Sequence, residues 1–369
     1  MKIICSKSEL TKSVNISLKA IPVRTTMPIL ECILIDARDQ EIHFITNDTE
    51  LGIETIVKGR VEETGIVAID AKMFSDIIRK LPDSDVIIQS DSNYNVSIVC
   101  LKSRFALGGQ SGEDFSYLPN IERDECVTIS QYALRQVINQ TLFSVANNEN
   151  NKLMTGELFE IKGDILRVVA LDGHRISIRR VPLKDSYSGN KVIVPGKTLS
   201  EISKIMSGEI DDMVNIYITR NHIVFEIEGT TIVSRLIEGE YFAVDQMISS
   251  DYEMRVRVNK QMLGSMIDRA TLFVKENDKK PIIMDFAGNN LNMSIESPLG
   301  AMNEDLDIEK DGKDIMIGFN PRFLLDALKA IDDETVTLYL TNAKSPCFIR
   351  DDESTYTYLI LPVNFTRYL

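Results

Sequence analysis

The sequence repeats itself with a period of about 125 residues, which limits what the chain can fold into more than any single motif does. AKMFSDIIRKLPDSDVIIQ begins at Ala71, and a second copy, GKTLSEISKIMSGEIDDMVNIYI, begins at Gly196. The third, FNPRFLLDALKAIDDETVTLYL, carries Pro321 in the same register. Asp76, Glu201 and Asp326 are each 125 apart, as are Leu81, Met206 and Ile331. A β-like run leads into each copy: GIVAID, NKVIVPG and DIMIGF. Further upstream, FITND (44–48), VALDG (169–173) and SIESP (294–298) keep the same offset. Each follows an alternating segment whose central pair, Asp39-Gln40, Gly163-Asp164 or Asn289-Asn290, has the turn chemistry of a hairpin. Each copy also opens with a helix. Ser6-x-x-Glu9 is a capping box ahead of Leu10, Val14, Leu18 and Ile21. Its counterparts carry Leu134, Val137 and Ile138, then Leu263, Met266 and Ile267. The expected fold class is α+β: three similar domains, each with two helices packed on antiparallel sheets. Polar, turn-rich stretches at 119–126 and 249–256 place the domains at 1–122, 127–248 and 254–369.

Composition agrees with several globular domains: 369 residues, 44% apolar and 26% charged, exceed what one core organises. The N-terminus turns polar after two apolar residues and no apolar run approaches the roughly 18 residues of a membrane span, so a cytoplasmic protein is expected. Cys5, Cys32, Cys100, Cys126 and Cys347 are far apart with no C-x-x-C, which reads as reduced, mostly buried thiols. His43, His174 and His222 have no metal-ligand spacing, so neither metal nor cofactor is expected. No G-x-S-x-G, P-loop or G-x-G-x-x-G motif is found. Asp172 and His174 could be cast as an acid–base pair, yet no nucleophile accompanies them, and the chain reads as a non-enzyme.

The formal charge of −14 argues against nucleic-acid binding only if the basic residues are scattered. They are not. Lys72, Lys197 and Arg322 occupy equivalent positions of the second helix in each repeat, and so do Arg79, Lys204 and Lys329. Residues seven apart lie almost two turns on, so each helix presents two cations on one face. In the first repeat Phe74, Ile77, Ile78 and Leu81 cluster opposite. Any solvated helix face collects Lys and Arg, but six positions of one sign in an acidic chain favour a surface that follows a phosphate backbone. Lys12, Lys19, Lys260 and Arg269 extend the pattern less regularly.

Over its full length the chain resembles the bacterial DNA sliding clamps, the beta subunits of DNA polymerase III. The resemblance rests on TTMPILECILI near residue 25, SRFALGG at 103, VALDGHRISI at 169, RLIEGEY at 235 and YTYLILPV at 356. It implies three domains per chain and two chains joined head to tail in a ring around duplex DNA. It also implies a processivity function without catalysis, and places Arg24 and Asn148 on loops touching DNA. Phe105 and Leu107 would meet Thr271 and Leu272 across the dimer interface. A groove formed by Met154, Leu171, Gly173, His174, Arg175, Ile176, Met247, Ser345, Ile360, Leu361, Pro362 and Val363 would take glutamine-led, hydrophobic-ended peptides. Their owners would be the replicative polymerase, the clamp loader, and repair or ligation factors. Two departures stand out: Tyr241-Phe242-Ala243-Val244 replaces the usual Phe-Pro-Asp-Tyr, and the chain continues past Val363 as Asn364-Phe365-Thr366-Arg367-Tyr368-Leu369.

Overall fold

The computed structural model describes residues 1–147, 151–274 and 280–365. The repeat is expressed in the helices: α1 (Lys7–Ser17), α2 (Ala71–Lys80), α3 (Gln131–Asn139), α4 (Gly196–Ile205), α5 (Lys260–Thr271) and α6 (Pro321–Lys329). Local chemistry sets their starts. Ser6 caps α1 by accepting from the Glu9 amide, Asp70 caps α2 through Met73, Asn259 caps α5 through Met262, and Asn320 caps α6 ahead of Pro321. Of the apolar residues expected to face inward, Leu10, Val14, Phe74, Ile77, Ile78, Leu134, Val137, Ile138, Leu263, Met266 and Ile267 are buried, whereas Leu18 and Ile21 lie past the end of α1 and are half-buried. All five cysteines are free thiols, and only Cys126 is partly exposed.

The chain forms two compact units, Met1–Tyr132 with Lys204–Leu236, and Ala133–Ser203 with Ile237–Leu369. In the first, an eight-stranded antiparallel sheet runs in the order 126–130, 213–218, 222–227, 230–235, 51–57, 42–47, 32–36, 66–70. First and second repeats therefore share one sheet, joined where Ile53 faces Ile232 and Gly52 faces Val233. A five-stranded sheet, 60–63, 2–6, 85–90, 95–100, 103–108, completes this unit. The second unit repeats the device. Its seven-stranded sheet joins the second and third repeats where Ile176 faces Leu359 and Ile178 faces Thr357. Its four-stranded sheet runs 300–307, 290–297, 282–287, 315–319.

Two of the three expected hairpins turn where the sequence places them. Gln40 adopts a left-handed φ of 65° in the first. In the second, Gly156–Leu171 is one extended run, but Gly163 has φ 62° and the run doubles back there. The Tyr241 hydroxyl donates to the carbonyls of both Gly156 and Val169, at 3.4 and 3.3 Å. At about 3.3 Å per residue an unbroken strand would hold those two carbonyls roughly 40 Å apart. The third turn differs: Ala287 faces Asn290 directly, so the two-residue loop is Gly288-Asn289 and Asn290 already belongs to the strand. Gly288, with φ 56°, takes the left-handed position for which it has no side-chain penalty.

After its last strand, each repeat brings the chain back alongside the strand that precedes its second helix. The amides of Gln110, Ile237 and Val363 donate to the carbonyls of Ala68, Ile193 and Gly318, at 2.9, 2.9 and 2.8 Å. Those three acceptors are 125 residues apart. A few residues further on, Phe115 and Tyr241 are buried, and the Phe365 ring lies over Gly318. Tyr241–Val244, and Asn364 and Phe365 of the tail, thus belong to the second and third copies of one closing segment.

Candidate nucleic-acid interface and peptide groove

The six matched cations occupy the second and ninth residues of α2, α4 and α6, and all six are exposed. The opposite face of each helix is buried, through Phe74 and Ile78, Leu199 and Ile202, and Leu324 and Leu328. Each cation therefore lies on the exposed side of a helix whose other side is anchored. Arg79 donates to Asn15 Oδ1 at 2.9 Å, a neutral partner that leaves its charge available. Arg24 is exposed on the 21–27 loop; Asn148 lies outside the described residues. Three of the four less regular cations have partners of their own. Lys12 pairs with Glu228 at 3.1 Å, Arg269 is held by Glu304, and Lys260 Nζ donates to the Ile331 carbonyl.

Most of the residues expected to form a groove come together in the second unit. Asp172 organises the 172–175 turn: its Oδ1 accepts from the amides of His174 and Arg175, at 2.9 and 3.1 Å, and Gly173 takes φ 87°. That turn sets Leu171 opposite Ile176, and Ile176 opposite Leu359 on the neighbouring strand. These three form one apolar cluster with Val244, Tyr339 and Phe348, against which Met154 and Phe242 pack. Met247 and Leu361 are exposed at its margin, and Pro362 and Val363 are half-buried. The Leu361 amide donates to the His174 carbonyl at 2.9 Å, pinning the tail beside the turn. Exposed His174 stacks obliquely on Phe323, with centroids 6.0 Å apart. The Ser345 amide donates to Asn342 Oδ1 at 3.0 Å.

Two of these residues have other work. Arg175 is a clip: Nε donates to Asp172 at 2.9 Å, Nη1 to Asp326 on α6 at 2.6 Å, and Nη2 to the Phe143 carbonyl. Its guanidinium sits between the Phe143 and Phe323 rings, so its charge is spent on holding the second and third repeats together. Ile360 points into the core of the third repeat, because alternation along the strand sends Leu359 to the groove and Ile360 to the opposite face. Leu359, Tyr339 and Phe348 were missed. Period two in TYTYLILPV would have found Leu359; the other two enter only through strand pairing.

Repeated α+β modules fused through shared sheets, with matched cations on exposed helix faces, define a clamp-type class of protein. Three family models tile the chain: the DNA polymerase III beta subunit N-terminal domain over residues 1–119, the central domain over 128–242 and the C-terminal domain over 245–364. The chain is 32% identical to the beta sliding clamp of Staphylococcus epidermidis, over 98% of this chain and 99% of that one. It superposes on a crystal structure from Eubacterium rectale, described as a DNA polymerase III beta subunit, with a TM-score of 0.96 and 62% identity, covering 99% of this chain and all of that one. The Bacillus subtilis DNA polymerase sliding clamp gives a TM-score of 0.95 at 31% identity over the same coverage. The chain belongs to the DNA polymerase III beta subunit family, whose members are processivity subunits and not catalysts. No described helix is long and apolar enough to cross a membrane.

Proposed function

We propose that two copies close head to tail into a ring around duplex DNA and tether other proteins to it. The observation that carries this reading is the matched set of exposed cations, Lys72, Arg79, Lys197, Lys204, Arg322 and Lys329, in a chain of net charge −14. Contacts to phosphate alone are the same at every step along DNA, so they permit sliding and carry no sequence preference. Arg24 and Asn148 would add loop contacts. A topological link makes strong contacts unnecessary.

The sheet edges support closure. Strand 51–57 pairs with 230–235, and 175–179 with 356–360; by repeat position the next such pair is Gly300–Asp307 with Ser103–Gly108. Within one chain those two strands are edges of different sheets. Pairing between copies removes both edges, an aggregation liability otherwise. Phe105 on the first edge strand and Leu272 at the end of α5 are exposed apolar side chains suited to that contact, with Leu107 and Thr271 beside them.

The cluster around Leu171, Ile176 and Met247 would receive glutamine-led, hydrophobic-ended peptides of the replicative polymerase, the clamp loader and repair or ligation factors. An apolar slot with adaptable methionines suits several ligands sharing one short motif. The boundaries 1–122, 127–248 and 254–369, and a cytoplasmic location beside the chromosome, complete the reading. The test is retention on DNA: the protein is loaded onto nicked circles with a clamp loader and ATP, and the circles are then linearised. Release from the ends is expected; protein that stays bound refutes encirclement.

A further inference from the structure

We propose that the junction between the first and second repeats holds a second peptide groove that the chain's own segment Ser116–Leu118 occupies in cis. This rests on the groove reading above. The two junctions are superimposable by register. Asp48 organises the 48–51 turn as Asp172 organises 172–175, its Oδ1 accepting from the amides of Glu50 and Leu51 at 3.0 and 2.7 Å. Thr49 takes φ 78° where Gly173 takes 87°. Asn47 faces Gly52 as Leu171 faces Ile176, and Gly52 faces Val233 as Ile176 faces Leu359.

What differs is the filling. Where the second junction has Ile176, the first has Gly52, and Leu118 lies directly on it: a Cβ added to Gly52 would fall 2.0 Å from Leu118 Cδ2. The leucine side chain takes the space that the isoleucine side chain takes in the other groove. Where the second junction has Leu171, the first has Asn47, whose Nδ2 donates to the Ser116 carbonyl at 3.2 Å. Tyr117 is fastened as well. Its hydroxyl accepts from Arg38 Nη2 at 3.0 Å and donates to Asp36 Oδ2 at 3.3 Å. Two polar latches and one leucine anchor thus hold a short segment across the first junction. Tyr117 remains exposed and Leu118 half-buried, so the segment lies on the surface and not within the core.

The experiment counts binding sites for a synthetic glutamine-led peptide ending in Leu-Phe, by calorimetry on the full-length protein. Wild type binds one peptide per chain. Gly52→Ala expels the Leu118 side chain while keeping the strand, and Leu118→Ala removes the anchor; each raises the stoichiometry to two. One site in both variants, with melting temperatures showing them folded, overturns cis occupancy and leaves the groove between the second and third repeats standing. No binding by wild type overturns the groove itself. Hydrogen exchange on wild type covers the case of poorly folding variants: saturating peptide slows exchange at the amides of 171–176 and leaves those of 47–53 unchanged, because Leu118 already fills that groove, and slowing at 47–53 in wild type overturns the proposal.

Discussion

Glu157 should weaken the second repeat, and replacing it should strengthen the protein in a pH-dependent way. Strand pairing defines its counterparts. Ile33 faces Ile69, Glu157 faces Val194 and Ile282 faces Phe319, each partner lying two residues before the second helix of its repeat. Two repeats bury isoleucine at this position, and the middle one buries a carboxyl with no solvent exposure. Neither carboxyl oxygen has a hydrogen-bond partner. Neighbouring Thr141 gives its own hydrogen to the Val137 carbonyl, at 2.8 Å, so it can only accept, which suits a protonated acid and not a carboxylate. Burial holds this acid well above the usual carboxylate range. A raised folded-state value means that the unfolded chain loses its proton first, at about pH 4.3. Stability therefore falls as pH rises through that point, by up to roughly tenfold in the folding equilibrium per pH unit, until the folded form also ionises. Below pH 4 Glu157→Ile gains only the desolvation of a neutral acid, about 1–3 kcal/mol; the gain widens toward neutrality. Glu157→Gln should flatten the pH dependence with a smaller offset. Three repeats need not unfold together, so the assay is native-state hydrogen exchange at the amides of 157–161 between pH 4 and pH 8. A variant no more stable than wild type at pH 8, or a gap that does not change with pH, refutes the reasoning.

Charge reversal at Lys72, Lys197 and Arg322 together should impair loading onto nicked circles; a lower salt slope of DNA association checks it. Arg175→Ala leaves half-exposed Asp326 and Asp172 without their guanidinium and should cost about 1–3 kcal/mol, read by urea unfolding. Met247→Ala, at an exposed margin, should weaken peptide binding about tenfold with stability unchanged, whereas Ile360→Ala should cost stability, about 2–5 kcal/mol. Equal effects of the two on peptide affinity would show that strand alternation has been misassigned.

The three-fold architecture was legible because sequence period and structural period coincide: helices starting at Ala71, Gly196 and Pro321 are 125 apart in both. The exposed cations followed from helical spacing alone. The groove was less legible. Residues of the ALDGHR turn come from local chemistry, but Tyr339, Phe348 and Leu359 reach the cluster through pairing between strands more than 150 residues from Ile176. Arg175 shows a related limit. Its type and position suggest a rim cation, and only the placement of Asp326 and the Phe143 carbonyl reveals a clip. The closing segment escaped notice because its copies, around Phe115, Tyr241 and Phe365, share a backbone hydrogen bond and an aromatic ring but little sequence.

Repetition also explains why a chain of this kind would stop at a closed assembly. Each repeat offers one donor edge and one acceptor edge; two joins consume four of the six edges, and 103–108 and 300–307 remain. A contact between unlike edges either closes after a fixed number of copies or propagates without end. The remaining edges carry opposite charge: Lys102 and Arg104 at the first, Glu304, Asp305 and Asp307 along the second. That opposition favours unlike over like pairing. Arg104→Glu should therefore shift sedimentation from a species of two 41.6 kDa chains toward one, and Asp307→Arg should partly restore it. Longer, concentration-dependent species in wild type would show that the edges propagate and do not close.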